Sequence, residues 1–329
     1  MSTSTADSRI FGDPGDDPEK LFDSGKRKKT ISTPFIHRMQ RRHFILFDIL
    51  PACGTVAALA TWGRYPIGLP EGLALFVMWL LTGVGITVGY HRLFTHRSFR
   101  ATAPARAALA VLASMAGQGG VISWAGLHRR HHEFSDIPGD PHSPNLFGET
   151  RRARLRGLVH AHYTWMIRHD YPSIVHYAPD LLRDPALVRI DGLYHLWVVL
   201  GLALPAVVVG LVRGSWMGVL SGFLWGGVIR MFVLGQIIWS INSFLHQMGS
   251  RRFDTPEHSH NSALLAPLTL GESWHNNHHA FPGSASFGLA WHRLDFGYWC
   301  IKVLEALGLA SDVKVPSKER IAARQRGVV

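Results

Sequence analysis

The sequence predicts an all-α membrane protein: four transmembrane helices in two hairpins, beneath a cytoplasmic helical cap that carries a histidine-rich site for two metal ions. Four long apolar runs predict the spans, the placement of Lys and Arg predicts their orientation, and three tight histidine clusters predict the site. Composition agrees: of 329 residues, 47% are hydrophobic and only 17% charged, which excludes a disordered chain and an ordinary water-soluble enzyme. Cys53 and Cys300 are the only cysteines, so thiolate metal sites and a disulfide network are excluded and any metal must be held by histidine or carboxylate. The net charge of +11 gathers beside apolar runs, which suits an anionic membrane surface and not nucleic acid.

A helix needs about 20 apolar residues to cross a bilayer. Residues 44–62 form the weakest run, with Asp48 near one end and Pro51 inside. The runs at about 70–91 and 193–212 have cores free of Asp, Glu, Lys and Arg. Residues 215–246 are apolar except for Arg230, too long for one crossing, so this helix projects beyond the membrane on one side. Residues 1–43 read as a polar, then basic, tail whose first 25 residues look disordered and carry no cleavable signal peptide. Lys26, Arg27, Lys28, Lys29, Arg38, Arg41 and Arg42 keep that end, and the C-terminus, cytoplasmic. The short connections at 63–71 and 213–215 then face out, and the cap comprises 92–192 and 247–329. Residues 103–121 are apolar enough to lie at the interface but too rich in small residues to span.

Histidine makes the reading specific. His91 and His96 stand in HRLFTH, His128, His131 and His132 in HRRHH, and His275, His278 and His279 in HNNHH. The H-x-x-H-H spacing puts three imidazoles on one helix face, able to meet at a common point. His91 and His96 are five apart, which an α-helix does not align, so a bend or helix end is expected there. Asn242 and His246 form a further i, i+4 pair. Isolated histidines such as His195 and His292 read as background. Nine imidazoles gathered on one side of the membrane require cations, and two metals is the economical count.

With these boxes and their flanks GITVGYHRLFTHRSF, WAGLHRRHHEFSD, DPHSP, WSINSFLHQMG and GESWHNNHHAFPGSASFGLAWHRLDFG, the chain resembles the membrane-bound fatty acyl desaturases of the stearoyl-CoA delta-9 desaturase family, from about Gly85 to Ala310. The resemblance implies a diiron centre ligated by His91, His96, His128, His131, His132, His246, His275, His278 and His279, with Asn242 joining through water. It implies oxygen-dependent conversion of a saturated fatty acyl chain to a cis-olefin, with O2 as co-substrate. A redox metal is required because no side chain oxidises an unactivated methylene pair, and zinc lacks redox chemistry.

In the family the second span helps to close the acyl tunnel, which points to Trp79 and Leu75 as its floor; Trp124, Arg168 and Arg230 complete the candidate substrate contacts. Animal acyl-CoA members carry Arg-Asp before the second box, where this chain has Gly126 and Leu127. Coenzyme A is still the first expectation for the carrier, with Arg151, Arg152, Arg154, Arg156 and Arg168 as phosphate partners. Lipid-linked or carrier-protein-linked acyl chains are alternatives, as is a diiron hydroxylase of fatty acids or alkanes. A metal transporter would bury the histidines within the spans, and a zinc protease would need HExxH, which is absent. No haem, flavin or nicotinamide motif occurs, so electrons come from a separate donor of ferredoxin, rubredoxin or b5 type with an NAD(P)H reductase.

Overall fold

The computed structural model describes residues 29–63 and 67–325. Most of the basic cluster at 26–29 and the tail before it, expected to be disordered, lie outside the described residues, as does part of the first short connection. Among the described residues four helices are long and apolar enough to cross a membrane: Pro34–Ala60, Leu69–Thr95, Tyr194–Arg213 and Trp216–His246. The last three start and stop within a few residues of the apolar runs. At 31 residues the fourth is about 46 Å long, well beyond the hydrocarbon thickness of about 30 Å.

The first helix begins ten residues before its apolar run. Thr33 caps it by accepting the Ile36 N–H at 3.2 Å, and Pro34 occupies its first turn. Its opening segment carries Arg38, Arg41 and Arg42 and buries His37 and Gln40, an amphipathic pattern that apolarity alone does not reveal. The expected tail at 1–43 therefore ends in helix.

Three of the spans depart from α geometry. Ile45–Ile49, just before Pro51, Gly85–Thr95 and Phe223–Ile229 are π-helical. Small residues then let the helices approach, as expected where hydrophobicity alone does not drive helix association. A Cβ on Gly85 would stand 2.3 Å from the Ala113 backbone nitrogen, and one on Gly226 would stand 2.4 Å from Pro205. The helix Ala103–Ser114, expected at the interface, buries Leu109, Ala110 and Ala113 in the main core with Val88 and Phe94 of the second span.

At the short-connection end, Arg213 reaches across to Glu71 at 2.7 and 3.1 Å, and Ser221 donates to the same carboxylate at 2.9 Å. This ties the second, third and fourth spans together. At the other end lie the cap helices Val121–Phe134, Arg151–His162, His275–Ala280 and Phe296–Ala306. Two short antiparallel pairings fasten the cap: Thr30–Ile31 with Tyr171–Pro172, and Arg100–Ala101 with Ala310–Ser311. Among the described residues these are the only sheets.

Candidate metal centre

The nine box histidines converge in two groups. His91, His96, His128, His132 and His278 form one, and His131, His246, His275 and His279 form the other. In the first group the Nε2 atoms of His132 lie 3.0 Å from His128 and 2.9 Å from His278, which stands 3.1 Å from His91. In the second, His275 Nε2 lies 2.9 Å from His246 and 3.1 Å from His279. Two nitrogens bound at right angles to one ion at about 2.1 Å stand about 3.0 Å apart. The spacings therefore fit ligation, and the buried Nε2 atoms of His96 and His131 have no hydrogen-bond partner.

Two expectations change here. Each H-x-x-H-H box does not serve a common point; its i, i+4 pair enters one group while the middle residue enters the other. The reason is helical: i and i+4 are separated by about 40° around the axis, whereas i+3 lies about 60° to the other side. Thus His128 and His132 pair with His278, and His275 and His279 pair with His131. The five-residue separation of His91 and His96 is solved by the π-helical stretch, whose i to i+5 repeat appears as the His96 N–H donating to the His91 carbonyl at 3.1 Å.

Burial, reinforced by neighbouring imidazoles, holds His96, His128, His132, His275, His278 and His279 well below the ordinary histidine pKa. They are neutral, which is the ligating form. Four carboxylates orient the rings from behind. His131 Nδ1 donates to Asp140 at 3.0 Å and His246 Nδ1 to Asp136 at 2.8 Å; His91 Nδ1 donates to Glu272, and Glu257 stands 3.5 Å from His279 Nδ1. A proton on Nδ1 leaves the Nε2 lone pair facing its cluster. Burial pushes Asp136 up, but His246 and the hydrogen bonds around it outweigh this and leave its carboxyl well below the usual range.

The sequence reading missed these acids, and also His142, whose ring packs 4.4 Å from that of His131. Asp140 and His142 lie in DPHSP and Glu272 in GESW, so the motifs contained them without revealing their partners. The asparagines of HNNHH pin the third box: Asn276 accepts the Phe253 N–H at 2.8 Å, and Asn277 donates to the Phe287 carbonyl at 2.8 Å.

An apolar cavity abuts the histidines. Its walls include Gly83, Ile86 and Thr87 of the second span, Leu234, Ile238, Ile241 and Asn242 of the fourth, and Leu268 and Leu270 of the loop before the third box, with His91, His128 and His275 also lining it. Trp124 lines it as well, stacked on His128 with ring centroids 5.2 Å apart.

Other expected contacts fall elsewhere. Arg230 does not line this cavity: it is fully buried, and its guanidinium donates to the carbonyls of Met115 at 3.0 Å, Gly201 at 3.2 Å and Gly226 at 3.3 Å, because a charge within the spans must find backbone acceptors. Trp79 packs on the main core beside Phe76, and Leu75 packs on a separate cluster with Trp225, so neither lines it. Arg151, Arg152, Arg154, Arg156 and Arg168 are exposed on the cap surface, away from the cavity walls.

Comparison with known proteins supplies independent findings. A family model described as fatty acid desaturase matches residues 69–304. The chain is 46% identical over 316 residues to a hex-5-enoyl-acyl-carrier-protein acetylenase of Moorena producens (strain JHB), covering 95% of this chain and 98% of the relative. It is 35% identical over 252 residues to an sn-1 stearoyl-lipid 9-desaturase of Anabaena variabilis, covering 76% and 85%. An sn-2 palmitoyl-lipid 9-desaturase of Nostoc sp. (strain 36) is 36% identical over 248 residues, covering 74% and 80%.

Proposed function

The chain belongs to the fatty acid desaturase family, and from that premise we propose that it removes two hydrogens from a saturated acyl chain, at the delta-9 position, to leave a cis double bond. The observation that carries this reading is the pair of nitrogen clusters opening on one apolar cavity. One iron would be held by His91, His96, His128, His132 and His278, and the other by His131, His246, His275 and His279, with Asn242 joining through water. Bound iron supplies the oxidising power that side chains lack, drawing on O2 and two electrons from a separate donor. Overall, O2 takes up the two hydrogens of the acyl chain together with two electrons and two protons and leaves as two waters.

The chain's own residues position and protect the reaction. Ile86, Ile238 and Ile241 hold the methylenes and exclude water. Trp124 fixes the His128 ring from the cavity side, and Glu272 fixes His91 from behind. In this reading residues 44–329 form the desaturase domain and the cap lies on the cytoplasmic side, where a ferredoxin, rubredoxin or b5-type donor reaches it.

For the carrier we favour a phosphopantetheine thioester. Coenzyme A and acyl carrier protein share that group. A relative 46% identical is named for a carrier-protein substrate, while the cap exposes arginines suited to phosphate. The test is purified, iron-loaded protein given the same acyl chain on carrier protein, on coenzyme A and in a phospholipid, with O2 and a reducing chain. Mass spectrometry should find an olefin fastest from a thioester. An alcohol would make the protein a hydroxylase, and turnover confined to the phospholipid would move it to the lipid-linked class.

A further inference from the structure

We infer that Leu270, a residue of the cap loop and not of any span, is the stop that sets how long an acyl tail the cavity accepts. The inference rests on the acyl-chain reading and adds the element that limits the chain. Gly83 and Leu234 are the cavity-lining residues farthest from the histidines along the second and fourth spans. Between them comes Leu270: its Cδ1 lies 2.9 Å from the point where a Cβ on Gly83 would stand, and Leu234 Cδ1 lies 3.8 Å from that point. The end of the cavity is thus a contact of three residues, with Leu270 brought in by the loop. Trp79 lies a further turn away and meets the core instead.

The backbone shows that this placement is imposed. Leu270 has φ of 53°, a left-handed conformation that side chains other than glycine rarely adopt. It is held there from outside the cavity. The Leu270 carbonyl accepts the Gly297 N–H at 2.9 Å, and the Gly271 N–H donates to Ala266 at 2.9 Å. Gly271 itself has φ of 98° and sits so close to Asp295 that a Cβ would fall 2.6 Å from its Oδ1. Such a turn cannot swing aside readily, so Leu270, which is 4% exposed, meets a tail as a fixed wall.

The test measures binding of saturated decanoyl, lauroyl, myristoyl, palmitoyl and stearoyl pantetheine thioesters to the full-length protein in detergent, so it does not depend on turnover. Affinity should rise about fourfold per methylene until the tail reaches Leu270, and then fall. Leu270→Gly removes the side chain and relieves the backbone, and should move the optimum to a longer tail by two carbons or more. Gly83→Ala should move it to a shorter one, and the double variant should return it toward the original length. Leu234→Ala opens the same wall from the span and should lengthen the optimum if Leu270→Gly does not fold. An optimum unmoved by Leu270→Gly and Gly83→Ala, in proteins that melt as the parent does, would overturn the assignment. Absence of olefin with a normal length optimum would instead strike at the proposed reaction and leave the stop standing.

Discussion

The two nitrogen clusters reach the same end by different means. The first gathers five histidines with one carboxylate behind them, Glu272 on His91. The second gathers four, and three of them have carboxylates behind or beside them: Asp140 on His131, Asp136 on His246 and Glu257 near His279. In the proposed centre one site would be completed by ligand number and the other by the negative surroundings that make fewer ligands more basic. Asn242 lines the same cavity as His91, His128 and His275.

Removing a ligand is the harshest way to probe that difference. His278→Ala and His131→Ala should each cut desaturation by more than about 100-fold, since loss of a ligand should exceed the 10–100-fold typical of an outer partner. His195→Ala changes an exposed residue outside both clusters and should cost little. Equal damage from all three, measured as turnover in protein of normal melting temperature, would erase the distinction between box and background histidines.

The carboxylates sharpen it next. Asp136 holds His246 and also accepts the His258 N–H at 2.8 Å and the Asn145 amide at 2.9 Å, so Asp136→Ala should lower iron affinity by about 10–100-fold. Glu272→Gln should cost less, because four other histidines remain in that cluster. Iron titration in the two variants would show whether charge matters more at the four-histidine site. A smaller effect follows at Asn242, where Asn242→Ala should reduce turnover several-fold while iron content stays near that of the parent. Stoichiometric loss of one iron would make the asparagine a direct ligand.

The smallest effect concerns cap histidines outside the clusters. Burial, above all, lowers His160 and His169 to about 4 from an ordinary 6.5. Each is neutral in the folded state and protonated when unfolded between those values, so stability is full above pH 6.5 and falls as pH drops toward 4. In iron-loaded protein, where the cluster histidines are engaged, the melting temperature should decline across that window, and His169→Gln should lessen the decline. An unchanged slope would show that the acid sensitivity resides elsewhere.

The spans were legible because apolar runs without charge have few alternatives, and the histidine boxes because their spacing matches helix geometry. The amphipathic opening of the first helix was not, since Arg38, Arg41 and Arg42 hide its buried His37 and Gln40. Nor was the sorting of each box between two clusters, which depends on how helices Val121–Phe134 and His275–Ala280 face one another. Glu272 and His91 are 181 residues apart, and Asp136 and His246 are 110 apart. Spacing along a chain carries no information about such partners. Trp79 illustrates the same limit: its position on the second span says nothing of Leu270, which a distant loop brings to the cavity wall beside Gly83.

The most direct test of the paired clusters is metal content per chain, measured by mass spectrometry of protein made with ample iron. The wild-type chain should hold two irons, with His275→Ala and His132→Ala each depleting the cluster that they belong to. A wild-type chain that holds one iron, or that takes zinc in its place, would contradict the two-iron centre.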